Sequence, residues 1–160
     1  MATKITELAA LAAATDDDIF PVVDSPGSSP VTKKMTKTAL LADVRYDTYG
    51  VRAVGEEIDL ETGTLMTFCI PSSLNGCTVV GVEAYLPTPS SSGSASFKVY
   101  NVTDSVYVNS TALSLAASVQ YGAVSGLSHS LASGDIMRVE CTAAGTGTKG
   151  LDIMLKVDRL

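Results

Sequence analysis

The feature that most constrains this chain is the alternation of apolar and polar residues in its C-terminal part. In the last segment, apolar residues occupy every second position: Leu151, Ile153, Leu155 and Val157. Successive side chains of a β-strand point to opposite faces of a sheet, so this pattern predicts a strand with one face in a core. Five further segments are strand candidates, and the second, third and fifth of them alternate in the same way: Thr64–Ile70, Thr78–Leu86, Ala95–Val99, Val106–Val108 and Met137–Cys141.

Turn signals separate these segments. Asn75-Gly76 is a turn dipeptide, and the stretch from Pro87 to Gly93 is rich in Pro, Ser and Gly. The stretch Ser110–Leu131 fits either a helical turn or strand and loop, and we favour strand and loop. Short strands separated by turns are typical of a sandwich or barrel of antiparallel sheets. We therefore expect an all-β domain over residues 50–160, an antiparallel β-sandwich of jelly-roll-like topology.

The cysteines indicate neither a disulfide framework nor a zinc site. There are three of them, Cys69, Cys77 and Cys141, with no C-x-x-C pair. Cys69 and Cys141 stand in apolar strand patterns, so both are predicted to be small core residues.

Residues 1–45 follow a different pattern. Ile5, Leu8 and Leu11 are spaced by three among alanines. This spacing suits a short helix, or an extended segment that holds three apolar side chains against a partner. Ile19–Val23 and Val31–Met35 flank a Pro- and Ser-rich turn, which predicts a small hairpin.

A short helix is predicted to follow the hairpin. Thr36 suits the N-cap of a two-turn helix from Lys37 to Val44. Helices below about 12 residues are marginal alone in water, and one hairpin adds little buried surface. We therefore interpret residues 1–45 as a mostly extended arm that attaches the protein to a larger particle.

Charge and hydropathy argue against several functions. The 160-residue chain has a net charge of −6, with eleven Lys and Arg in total. A nucleic-acid partner is not expected, because binding to phosphates needs a basic surface. A membrane partner is not expected either, since no apolar run approaches the roughly 20 residues of a spanning helix. The N-terminus lacks a secretory signal, so we expect assembly in the cytoplasm.

The search for chemistry yields no catalytic residue, no metal ligand and no cofactor site. The single histidine, His129, lies in a Ser- and Gly-rich, loop-like stretch without a nucleophile motif around any serine. Asp16–Asp18 lacks the ligand spacing of a calcium loop and is read as a solvated turn. Gly145–Gly150 lacks the Walker spacing and joins two strand candidates, which predicts a hairpin turn with glycines at positive φ. Accordingly, we do not expect an enzyme.

Two tyrosines are the candidate surface contacts for a ligand. Tyr100 and Tyr107 lie on adjacent strand candidates and could share an exposed face, although packing between strands is the favoured explanation for them. Asn101-Val-Thr103 and Asn109-Ser-Thr111 match the glycosylation sequon, but without a secretory signal they indicate only turns.

The N-terminal region resembles a segment found at the N-termini of many tailed-bacteriophage structural proteins. The resemblance is carried, in order, by Lys4-Ile-Thr-Glu-Leu-Ala-Ala-Leu11, Asp16-Asp-Asp-Ile-Phe-Pro-Val-Val-Asp24, Thr32-Lys-Lys-Met-Thr36 and Thr38-Ala-Leu-Leu41. It extends over residues 4 to 41, about a quarter of the chain, with unmatched gaps between the matched segments. More loosely, Leu131–Asp135 and Gly150–Leu155 resemble parts of β-sandwich domains in phage decoration and fibre proteins.

The resemblance implies a homotrimer on the outer surface of a virion, attached to the major capsid protein or another virion protein. The predicted contact residues of the arm are its apolar side chains: Ile5, Leu8, Leu11, Ile19, Phe20 and Val22. The leading hypothesis is a capsid decoration or cement protein, or a head fibre. The alternative is a short tail fibre or baseplate component that contacts a host glycan or receptor. A small hydrolase that uses His129 is the third hypothesis, from a different class.

Overall fold

The computed structural model describes residues 19–24, 31–36 and 46–159. The chain divides into two units, Met1–Arg45 and Tyr46–Leu160. In the first unit, strand β1 (Ile19–Asp24) pairs antiparallel with β2 (Val31–Thr36), as the predicted hairpin requires. The predicted helix over Lys37–Val44 lies outside the described residues.

The second unit contains nine strands among the described residues. They are β3 (Tyr46–Asp59), β4 (Gly63–Cys69), β5 (Thr78–Tyr85), β6 (Ala95–Asn101), β7 (Val106–Tyr107), β8 (Leu113–Leu115), β9 (Tyr121–Ser130), β10 (Ile136–Ala144) and β11 (Lys149–Asp158). One 3-10 turn, Ser72–Leu74, follows β4. No helix in this part of the chain is long and apolar enough to cross a membrane.

The strands form two antiparallel sheets. One sheet has the order β3-β11-β5-β9, and the other has the order β4-β10-β6-β7, with β8 also paired to β6. Consecutive strands therefore change sheet at every connection except those from β6 to β7 and from β7 to β8. Apart from β6, β7 and β8, neighbouring strands in each sheet are therefore not consecutive in sequence.

A single hydrophobic core lies between the two sheets. Its largest fully buried side chains come from β5, β6, β8, β10 and β11, together with the loop residues Ile70 and Leu86. On β11, Leu151, Ile153 and Leu155 are all 0% exposed, as the alternation predicts. The all-β class and the two-sheet sandwich arrangement predicted from the sequence are confirmed.

Strand β3 was not predicted, and β9 was predicted only as part of the strand-and-loop stretch Ser110–Leu131. β3 and β9 are edge strands, and β9 contains no buried residue. Their sequences include glycines and small polar residues because an edge strand contributes little to the core. The prediction of strand and loop over Ser110–Leu131 is confirmed by β8 and β9, but the predicted loop around His129 is wrong, since His129 lies in β9.

The glycine-rich segment Gly145–Gly150 connects two different sheets. β10 pairs with β4 and β6, whereas β11 pairs with β3 and β5, so the predicted hairpin turn is wrong. The prediction of positive φ is confirmed, because Gly145, Gly147 and Gly150 have φ of 69°, 68° and 69°.

The cysteines differ in exposure. Cys141 is 3% exposed in the core, and burial raises the pKa of its thiol to about 11. Cys77 is 5% exposed. Cys69, in contrast, is exposed, so its predicted place in the core is wrong. Its neighbours Phe68 and Ile70 take the inward positions, and the alternation of the strand turns Cys69 outward.

Thiol reactivity should report this difference directly. In native protein at mildly alkaline pH, a chromogenic disulfide reagent is expected to titrate one cysteine, Cys69. Cys77 and Cys141 should react only after unfolding, because reagents attack accessible thiolates. The variant Cys69→Ser should lose the native-state reaction and retain the other two thiols in denaturant. Rapid reaction of two or more thiols in the native protein would contradict the described core.

Candidate functional site

The pairing of β6 with β7 brings Tyr100 and Tyr107 directly opposite each other. Their ring centroids are 4.8 Å apart at an interplanar angle of 65°, an edge-to-face contact. The short turn between the strands is fixed by Asn101, whose Oδ1 accepts hydrogen bonds from the backbone N–H groups of Thr103 and Asp104. Ser105 completes the turn with φ of 57°.

Three charged side chains surround the two rings. The ammonium of Lys98 lies 4.6 Å from the centroid of Tyr107, and the guanidinium of Arg138 lies 4.8 Å from the centroid of Tyr100. Glu140 accepts a 2.9 Å hydrogen bond from the Tyr107 hydroxyl and forms an ion pair with Arg138. We call these five residues the tyrosine cluster.

The cluster lies on the outer face of the five-stranded sheet. Lys98 and Tyr100 alternate with the buried residues Phe97 and Val99 on β6. Arg138 and Glu140 alternate in the same way on β10, and the register pairs Arg138 with Tyr100 and Glu140 with Lys98. Because alternate residues point to opposite faces, all of these side chains point away from the core.

The electrostatics of the cluster favour contact with an anionic group. The hydrogen bond to Glu140 is the main cause that raises the pKa of Tyr107, and desolvation acts in the same direction, so the phenol stays protonated as a donor. Lys98 and Arg138 are cations and Glu140 is an anion, which leaves one net positive charge in a chain of net charge −6. Arg138 Nε is buried without an acceptor among the described residues.

A second polar group lies at the end of the same strand, but it is buried. Asn101 is 0% exposed, and its Nδ2 donates to Asp104 Oδ2 at 2.9 Å and to Asp135 Oδ2 at 3.1 Å. His129 Nε2 lies 3.1 Å from the same Nδ2. This network connects the β6–β7 turn to β9 and to the turn before β10. We interpret this network as a structural connection between these segments. The described contact of His129 is with the side-chain amide of Asn101 and not with a serine hydroxyl.

Both sequon asparagines occupy such positions. Asn109 is 1% exposed, accepts from the backbone N–H of Val99 at 2.7 Å and donates to the carbonyl oxygens of Phe97 and Thr111. Asn101 and Asn109 therefore serve backbone geometry, which is the structural role predicted from the sequence. Within the described residues, no group of three or more His, Cys, Asp or Glu side chains is arranged to hold a metal ion.

The predicted attachment residues are only partly within the described chain. Ile19, Phe20 and Val22 lie on β1, where they pair with Thr36, Met35 and Lys33 respectively. Ile5, Leu8 and Leu11 lie outside the described residues. Their predicted role in binding a partner stays a prediction.

Lys98, Arg138 and Glu140 were not predicted from the sequence to be part of a candidate site. Because each of them alternates with core residues, the sequence predicts that each side chain points outward. The register that brings β10 beside β6 could not be derived, because it joins residues such as Arg138 and Tyr100 that are far apart in sequence.

No protein-family model and no curated protein matches the chain. Among solved structures, it is similar to a chain in the structure of infectious bursal disease virus, Gx strain, at 11% identity and a TM-score of 0.41. The similarity covers 89% of this chain and 37% of that chain.

Proposed function

We propose that the protein is a structural component of a tailed-bacteriophage virion, a homotrimeric capsid decoration or cement protein, or a head fibre. The observation that carries this proposal is the strand order, in which successive strands alternate between two sheets. The orders β3-β11-β5-β9 and β4-β10-β6-β7 fit the jelly roll, a double-sheet architecture of viral capsid domains. Lectins and cupins share this architecture, so the phage assignment depends on the N-terminal resemblance.

In this proposal, residues 1–45 bind the major capsid protein or another virion protein on the outer surface of the particle. The apolar residues of the arm would make the contact: Ile5, Leu8, Leu11, Ile19, Phe20 and Val22. A protein that binds only the assembled shell stabilises that shell by mass action. Assembly would take place in the bacterial cytoplasm.

A short tail fibre or baseplate component is the second candidate, and the tyrosine cluster favours it. Tyr107 is 39% exposed beside two cations, which suits contact with a host glycan or receptor. The same arm would then anchor the protein to the tail.

Copy number in purified particles tests the two candidates. We expect the protein to be present in numbers comparable to the major capsid protein, because a decoration protein follows the capsid lattice. A variant that lacks residues 1–45 is the control, and it should be absent from particles. Only a few trimers per particle would instead favour the tail or a single vertex. Absence of the full-length protein from particles would contradict both candidates.

A further inference from the structure

The two lateral sides of the sandwich are closed to different degrees. On one side, β8 lies against β9, and Leu113 and Leu115 are only 5% and 1% exposed. A Cβ placed on Gly122 of β9 would lie 3.3 Å from Leu115 Cγ, so leucine and strand backbone are in close contact. The core is sealed on this side.

The opposite side is formed by β3 and β4, each of which has a sheet neighbour on one side only among the described strands. Several of their apolar residues pack against the core but stay partly exposed: Tyr49, Val51, Ala53 and Val54 on β3, and Leu65 and Phe68 on β4. We call this side the open edge. Strand edges with exposed apolar side chains tend to pair with another chain unless they are covered.

A cleft of about 740 Å³ lies at one end of the open edge. Its lining combines apolar Val54, Ile58 and Leu65 with three carboxylates, Glu57, Asp59 and Glu61. Ile58 is 61% exposed. Asp59 has Lys149 at 3.9 Å, while Glu57 and Glu61 form no ion pair within the described residues. The cleft therefore fits a partner surface that is apolar and cationic.

The tyrosine cluster is such a surface on the same chain. The Lys98 ammonium lies over the ring of Tyr107, and no carboxylate among the described residues lies within ion-pair distance of it. Next to the cluster, Val102 and Ile136 are joined by a backbone hydrogen bond and are 39% and 37% exposed. The open edge and the tyrosine cluster are thus complementary in charge, and both expose apolar side chains.

We propose that the open edge of one copy, with its acidic cleft, binds the tyrosine cluster of a second copy. This inference depends on the part of the proposed function that makes the protein a homo-oligomer. The contact is head-to-tail, so each copy uses one surface for each neighbour and the assembly can close into a ring. A two-fold contact of clefts would instead bring like charges together, which disfavours it. Apolar contacts supply the affinity, and the charges select the partner surface.

Charge reversal in the full-length protein tests the contact. The rim variant Glu57→Lys/Glu61→Lys and the cluster variant Lys98→Glu should each weaken self-association at least about tenfold. The readout is molar mass by analytical ultracentrifugation over a concentration series. Lys156→Glu is the matched control, because this exposed lysine lies on β11, outside both the cleft lining and the tyrosine cluster, and the mass of this variant should equal that of the wild type.

Mixing the two variants distinguishes this contact from others. Rim variant and cluster variant together should form mixed complexes larger than either forms alone, since the charges are again opposite at each contact between unlike copies. A monomeric wild type would overturn the inference, and so would a wild-type mass for the Lys98→Glu variant. These masses are measured without particles, so failure of the proposed contact between copies is distinguishable from failure of the proposed attachment to the virion.

Discussion

Replacing Asn101 by alanine is expected to lower the free energy of unfolding by about 3–5 kcal/mol. The side-chain amide is fully buried and joins the β6–β7 turn to the turn before β10 through four hydrogen bonds. Alanine would leave the backbone N–H groups of Thr103 and Asp104 without their acceptor. It would also remove a donor from the carboxylate of Asp135, which is 4% exposed. Each buried polar group left unsatisfied costs about 1–3 kcal/mol.

Urea denaturation monitored by circular dichroism measures this loss in the free energy of unfolding. Asn75→Ala is the matched control, because Asn75 is exposed and its Oδ1 accepts one hydrogen bond, from the backbone N–H of Ser133. We expect that variant to cost about 1 kcal/mol or less. Equal costs for the two variants would show that the buried network does not link the turns as described.

Gly150→Ala is expected to destabilise the domain by about 2–4 kcal/mol, by two separate effects. Gly150 has φ of 69°, a conformation that costs any residue with a Cβ about 1–2 kcal/mol. Its Cβ would also lie 2.9 Å from Pro87 Cγ and 3.0 Å from the Cα of Glu56. A proline ring and a strand backbone cannot move away freely, so overpacking adds to the cost.

Gly147→Ala separates the two effects. Gly147 has φ of 68°, but the nearest atom to its Cβ would be Ser91 Oγ at 3.9 Å. This variant should carry only the backbone cost of about 1–2 kcal/mol. Thermal melts of the two variants and the wild type provide the measurement. If Gly147→Ala were as destabilising as Gly150→Ala, the close approach of β11 to β3 and Pro87 would be wrong.

The central strands could be predicted from the sequence, whereas the long edge strand β3 was not predicted and β9 was predicted only as strand or loop. β5, β6, β10 and β11 each bury one whole face, so Val82, Val99, Val139 and Ile153 stand in clear alternation with polar residues. β9 lies at the edge of its sheet, and Leu127 and His129 are only partly buried there. A strand is predicted from its sequence through the alternation of buried and exposed residues. An edge strand that buries few residues shows little of this alternation.

The tyrosine cluster shows a different limit of prediction. Its tyrosines are near each other in sequence and could be paired through a short turn. Arg138 and Glu140 enter the cluster only through the register of β10 on β6. That register results from packing of the whole core and from a bulge between Cys141 and Ala143. No local pattern specifies such a long-range pairing.

The position of β11 in its sheet has a consequence for synthesis of the protein. β11 (Lys149–Asp158) is synthesised after the other described strands, yet it lies between β3 and β5 and pairs with both. Until it emerges, two nascent strands lack their common neighbour, and the domain cannot close. Folding of the domain must therefore wait until β11 has been synthesised. Deletion of these 10 residues would take away an inner strand of the four-stranded sheet.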